Sequence, residues 1–190
     1  MVWKSRLSAE NALRVEARER IDPLTGLAMP RVFFDRVSGA LVRSRNLEYL
    51  SALMLIRIVN VEKVVAEQNM DNNEAVVLGA SRAIASTLRA QDSAARLGSN
   101  TFGLLAEGIA YGEASALATQ IVARGLRGEE WGLLGSSIKF HIAIIEFGPL
   151  ILQAETVLRD LENALDDMRL QNAGRSIRTV NPGLGRVNTN

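Results

Sequence analysis

The chain has 190 residues, a formal net charge of +1, 47% apolar residues and no cysteine. That length suits one domain with short appendages, and the lack of cysteine excludes disulfides and thiolate chemistry. No apolar run approaches the roughly 20 residues that cross a bilayer, and the interspersed charges exclude a surface built for long nucleic acid.

Residues 1–21 lack Gly and Pro, and mix Glu10, Glu16 and Glu19 with Arg14, Arg18 and Arg20. Leu7, Leu13, Ala17 and Ile21 share one helical stripe, which reads either as a surface helix or as a dimeric coiled-coil lead-in. Asp22-Pro23-Leu24-Thr25-Gly26-Leu27 ends that helix: Pro23 cannot continue it, Asp22 can accept backbone N–H groups, and Gly26 frees the turn. A helix follows over about 30–44, with Val32, Phe33, Val37 and Leu41 turned inward. Leu53-Met54-Leu55-Ile56, inside 51–59, is the nearly continuous apolar run of a central strand. Helices are predicted over 61–68 and 74–89, with Asn72 and Asn73 in the intervening break suited to capping. Strands over 94–97 and 101–106 flank Gly98-Ser99-Asn100. This reads as a β-hairpin, because Gly and Asn tolerate the left-handed backbone of such turns. A helix over 113–127, a strand over 138–147, a helix over 153–170 and a short strand over 176–180 complete the domain. Residues 181–190 read as a disordered tail. The order predicts an α+β fold: a mixed central sheet flanked by helices.

Two strings carry a family resemblance. Asp22-Pro23-Leu24-Thr25-Gly26-Leu27 is similar to the Asp-x-Leu-Thr-Gly-Leu that opens GGDEF (diguanylate cyclase) domains. Arg96-Leu97-Gly98-Ser99-Asn100-Thr101-Phe102 resembles their signature Arg-Leu-Gly-Gly-Asp/Glu-Glu-Phe. The resemblance covers 22–180 and implies the palm-like fold of nucleotidyl cyclases. Active members hold Mg²⁺ on carboxylates from the first strand and the signature turn, so that one GTP attacks another; such chemistry requires hard oxygen ligands. Here the first-strand position is Arg57, and the turn positions are Asn100 and Thr101, which excludes a Mg²⁺ cofactor at the former active site. Ser99 adds a Cβ where the family's second glycine lets phosphate approach. The positions that recognise guanine fall at Val65 and Glu74. The late phosphate clamp corresponds loosely to Arg169 and Arg175. His141, the sole histidine, has no cysteine or facing acid and reads as a satisfied residue at the core edge.

One family motif survives. Arg89-Ala90-Gln91-Asp92, five residues ahead of the signature, matches the Arg-x-x-Asp inhibitory site that binds cyclic di-GMP. A guanidinium can fork onto guanine O6 and N7, and a carboxylate can accept from N1–H and N2–H. The family's further Arg falls at Gln120, with Arg124 as a substitute one turn on. The resemblance therefore implies a catalytically inactive, cytoplasmic GGDEF domain that serves as a cyclic di-GMP receptor in bacterial signalling. It also implies an upstream sensory or receiver domain and a downstream protein partner, with a homodimer if 1–21 is a coiled coil. The alternative is a nucleotide-independent interaction or dimerisation scaffold.

Overall fold

The computed structural model describes residues 20–47, 49–149, 153–171 and 176–181. Residues 1–19 of the helix predicted over 1–21, Arg175 and nearly all of the tail lie outside these residues, and the described Arg20 and Ile21 form a turn and a bridge to Ala28 in place of the helix end. The strand β1 (Leu50–Ile58) carries the apolar run and is buried along almost its whole length. It pairs antiparallel on one side with β3 (Thr101–Ile109) and on the other with β4 (Phe140–Phe147). β2 (Ser93–Arg96) pairs antiparallel with β3, and β5 (Ile177–Thr179) pairs parallel with β4. The mixed sheet has the order β2-β3-β1-β4-β5, with β1 at its centre.

Alternation along β1 sends its side chains to two separate cores. Ala52, Met54, Ile56 and Ile58 pack with α2 (Val61–Glu67), α3 (Glu74–Ala85) and α4 (Glu113–Gly125). Leu53 and Leu55 face the opposite way, onto α1 (Pro30–Leu47) and α5 (Ala154–Leu170). On that second face Phe33 of α1 lies against Gly103 of β3, so closely that a Cβ at Gly103 would clash with the edge of its ring.

Three local details depart from the sequence reading. The helix expected over 74–89 stops at Ala85, because the Ser86 and Thr87 hydroxyls donate to the carbonyls of Ala83 and Ile84 at 2.8 and 2.7 Å. Such side-chain bonds offer the last turn an alternative to continued helix. Asn73 sits at the N-cap of α3 without a side-chain cap; the Asn72 side chain accepts from the Glu74 amide instead. The hairpin turn between β2 and β3 contains no left-handed residue, since neither Gly98 nor Asn100 has positive φ. Its geometry is held by Leu97 and Gly98 amides donating to the Thr101 carbonyl, and by Asn100 bonding back to β1. A short 3₁₀ turn, Gly128–Trp131, interrupts the long link between α4 and β4.

The opening loop is a closed cage. The Thr25 amide and hydroxyl both donate to Asp22 Oδ2, at 2.9 and 2.7 Å, and the Asp22 amide donates to the Leu27 carbonyl. Gly26 supplies the positive φ that this turn requires. Ala28 then bridges to the edge of β2 through bonds with Ala94 and Arg96. Burial works against the Asp22 charge, but the Thr25 bonds and Arg96 outweigh it and hold the carboxyl below its ordinary range.

The contact between Phe33 and Gly103 sets how closely α1 can sit on the sheet. Replacing Gly103→Ala forces a methyl against the fully buried Phe33 ring and the Leu97 side chain. The expected loss is about 1–3 kcal/mol, typical of overpacking, read as a lower urea midpoint with an unchanged slope.

Candidate functional site

Two polar clusters stand out, and both lie at ends of β3. The first is at the hairpin end of the sheet. Thr101, Arg57 and His141 are register partners on β3, β1 and β4, so they form a row across three strands on the α5 side. Arg57 Nη1 donates to Asp166 Oδ1 of α5 at 2.7 Å. Asn100 Nδ2 donates to the Ile58 carbonyl at 3.1 Å, and the Thr101 hydroxyl lies 3.4 Å from Asn100 Oδ1. Ser99 is exposed at the turn.

Magnesium needs several hard oxygens in octahedral array, usually anchored by carboxylates. This row offers a guanidinium, an amide and a hydroxyl, and the acid that meets it, Asp166, is already committed to Arg57. The residues present do not fit a Mg²⁺ ion. Among the described residues, no three acids, histidines or cysteines are grouped in a way that could hold a metal ion. Val65 packs against the core on the opposite face, and Glu74 is exposed at the start of α3, so neither joins the row. Arg169 is exposed in the last turn of α5.

His141 differs from its expected satisfied state. Its Nδ1 is buried with no hydrogen-bond partner among the described residues. Burial, and then the neighbouring Arg57 charge, push its pKa below the ordinary value, so the ring is neutral at physiological pH.

The second cluster is built on the Arg89–Asp92 turn, which lies beyond Ser86, Thr87 and Leu88 after α3 instead of extending it. The Asp92 amide donates to the Arg89 carbonyl, and the Arg89 amide donates to Asp92 Oδ2 at 2.9 Å. The two residues thus close a reciprocal turn, with both side chains drawn to one place. Arg89 Nε donates to both Asp92 oxygens, and Nη2 donates to Asp92 Oδ1 at 2.9 Å. Nη2 also donates to the Glu107 carbonyl at 3.0 Å, and Nη1 to Glu113 Oε1 at 2.8 Å. The Asp92 bonds, despite the cost of burial, and the charges of Asp92 and Glu113 raise the Arg89 pKa, so the guanidinium stays charged.

These partners change the roles that the sequence suggests. The Asp92 side chain is 0% exposed, with both oxygens held by Arg89, and so positions the guanidinium rather than facing solvent. Glu113, at the first turn of α4, is 40% exposed and was not singled out by the motif. Its Oε2 accepts from the Ala110 amide at 2.8 Å, which ties the turn before α4 to Arg89. Glu107 gathers the other side of the cluster: its carboxylate takes a fork from Arg43 at 2.9 and 2.7 Å and a bond from the Tyr49 hydroxyl. A carboxylate opposite an Arg–Asp turn was foreseeable only from the packing of β3 and α4, since 24 residues separate Arg89 from Glu113.

Arg124 is not brought to this place. It lies in the last turn of α4, eleven residues beyond Glu113 and therefore about 16 Å along the helix at 1.5 Å per residue. Its Nη1 is paired with Glu130 at 3.3 Å. Gln120 is exposed midway along the same helix.

The sheet order and the hairpin define the class of domain to which this chain is similar. The GGDEF domain of TpbB (YfiN) from Pseudomonas aeruginosa superposes with a TM-score of 0.71 at 22% identity, covering 86% of this chain and 95% of that one. The GGDEF domain of DgcB from Caulobacter crescentus, in complex with c-di-GMP, gives 0.71 at 17% identity, covering 84% and 92%. The S helix-GGDEF-EAL portion of LapD from Vibrio cholerae, bound to c-di-GMP, gives 0.72 at 15% identity, covering 96% of this chain and 42% of that one. Among curated proteins, none matches. The family model described as diguanylate cyclase, GGDEF domain, matches residues 19–175, and the chain belongs to that family.

The neutral His141 carries a pH signature. Because its folded pKa is lowered, the unfolded chain binds more protons once pH falls below about 6.5, and stability declines there. The depressed Asp22 carboxyl contributes only at lower pH, since its effect is lost as pH falls below its ordinary 3.8. Urea midpoints measured at about pH 8 and about pH 5.5 should therefore fall in the parent chain, and His141→Gln should flatten that fall.

Proposed function

We propose that this chain is a GGDEF domain without cyclase activity that acts as a receptor for cyclic di-GMP, with the ligand at the Arg89–Asp92 turn. The observation that carries the reading is the state of Arg89. Its guanidinium is held in one orientation by Asp92 and the Glu107 carbonyl and keeps its charge, on a side chain that as a whole is 31% exposed. Of its five N–H groups, four are engaged, Nε by Asp92, both on Nη2, and one on Nη1 by Glu113, which leaves one Nη1 N–H for a ligand. A preorganised charged donor of this kind loses little freedom on binding a guanine edge or a phosphate. Relatives of the same fold, DgcB and LapD, are described bound to c-di-GMP, and this supports the ligand class.

The cyclase step lacks its machinery. Arg57 places a fixed positive charge where a metal ligand would be needed, and at short range it repels a divalent cation as well as failing to bind it. Its pairing with Asp166 also commits the acid that meets it from α5. A purified preparation given GTP with Mg²⁺ or Mn²⁺ should form no cyclic di-GMP, and no single reversion among Arg57, Asn100 and Thr101 should restore it. Steady product formation detected by chromatography would refute the inactive reading.

Titration calorimetry with cyclic di-GMP tests the receptor itself. Arg89→Ala should weaken binding at least about tenfold, the loss of roughly 1.5 kcal/mol from a charge-assisted contact. Arg89→Lys should recover little of this, because an ammonium cannot keep the bonds to Asp92, the Glu107 carbonyl and Glu113 and still offer a fixed N–H to the ligand. GTP should compete poorly, as it has one base and no cyclic backbone. If the parent chain gives no binding heat, the nucleotide-independent scaffold is the better description.

A further inference from the structure

The Arg-x-x-Asp motif by itself assigns guanine recognition to Asp92, but the geometry points to a different carboxylate. We infer that Glu113 is the residue that selects guanine at the Arg89 site, with Asp92 acting as the positioning residue that holds Arg89 for it. The inference rests on the receptor reading above and names the group that gives that site its base preference.

Asp92 is spent on its own turn. Its side chain is 0% exposed, Oδ2 accepts from the Arg89 amide and from Nε, and Oδ1 accepts from Nε and Nη2. A base could reach it only by displacing the Arg89 side chain, which would leave a buried carboxylate without its cation. Glu113 is placed otherwise. It is 40% exposed, Oε1 has accepted one bond from Arg89 Nη1, and Oε2 one from the Ala110 amide. A carboxylate oxygen has two lone pairs, so both retain accepting capacity toward solvent.

The remaining Nη1 N–H of Arg89 and Oε1 of Glu113 belong to atoms 2.8 Å apart, a donor set beside an acceptor. Guanine presents the complement along one edge: O6 accepts, while N1–H and N2–H donate. In adenine the order is reversed, with an N6 donor where guanine has O6 and an N1 lone pair where guanine has N1–H. Adenine on this pair would set N–H against N–H and a lone pair against a carboxylate. Sites built on hydrogen bonds reject such partners strongly, because their own polar groups are left unpaired. The Ala110 amide fixes the second Glu113 oxygen, so the carboxylate cannot swing to follow a mismatched base.

The charge balance favours the same assignment. One guanidinium faces two carboxylates, Asp92 and Glu113, so the cluster carries no excess positive charge to draw a phosphate. Recognition then falls to the base edge rather than to the phosphodiester.

The experiment compares cyclic di-GMP and cyclic di-AMP by calorimetry on the parent chain, Glu113→Gln and Asp92→Asn, with folding checked by circular dichroism. Glu113→Gln keeps the shape, removes the charge and adds an N–H₂ donor. Its affinity for cyclic di-GMP should fall about tenfold, the size of one charge-assisted contact, and its preference over cyclic di-AMP should shrink by more than that. Asp92→Asn should lower stability and affinity while leaving the guanine preference in place. Glu113→Asp, which keeps the charge on a shorter arm, should bind more weakly with preference retained, and it decides the matter if Glu113→Gln does not fold. If Glu113→Gln binds cyclic di-GMP as tightly as the parent chain or more tightly, with its preference intact, the inference is overturned while the receptor stands. In that case Glu113 is only a partner that the ligand displaces. If the parent chain binds neither dinucleotide, the receptor reading falls, and this inference with it.

Discussion

Strand β1 is paired along both edges and covered on both faces, and the rest of the molecule is arranged to meet that condition. A strand in this position must be apolar nearly throughout, because any unpaired polar group there would lose water without gaining a partner. Its alternating side chains divide the interior into two cores, one under α2, α3 and α4 and one under α1 and α5. Close approach on the second face depends on Gly103, which has no side chain to keep Phe33 away. Polar residues stand only near the two ends of β1, at Ser51, which bonds to Ser44 of α1, and at Arg57, which must find its partner on α5.

That constraint shapes the electrostatics of both clusters. At Arg57 the charge is answered by Asp166 on α5, and the neighbouring His141 remains uncharged because burial and Arg57 both oppose its protonation. The row is self-contained: its cation is paired, and its amide is tied to the Ile58 carbonyl. The Arg89 cluster is also paired but open on one side. Asp92 and the Glu107 carbonyl hold the guanidinium from within, while Glu113 meets it from a half-exposed position. A paired surface arginine is usually worth little to stability. Here the buried Asp92, the amide bonds within the turn and the link to Ala110 make the pair part of the backbone's own closure.

Family membership and fold do not decide activity, since function resides in particular side chains. The cage at Asp22 and the hairpin between β2 and β3 are each held by bonds of their own, and the hairpin turn carries no acid. The hairpin is held without left-handed residues, because its position is set by bonds to β1 as well as by its own turn.

Much of the architecture was legible in the amino-acid order. The apolar run Leu53–Ile56 marked the central strand, and the turn chemistry of Asp22, Pro23 and Gly26 marked the opening loop. The alternation around Gly98-Ser99-Asn100 marked the hairpin, and the replacements at Arg57, Asn100 and Thr101 were visible one by one. These features are local, and periodicity and backbone preference report them directly. Other features depended on groups distant in sequence. Ser86 and Thr87 ended α3 by competing for its last carbonyls, which a helical pattern running to Arg89 did not disclose. The burial of Asp92, the pairing of Arg57 with Asp166, the unpartnered Nδ1 of His141 and the meeting of Glu113 with Arg89 were all decided by the tertiary structure. Each depends on which elements pack side by side, and hydrogen bonds and desolvation act over a few ångströms of space regardless of distance along the chain.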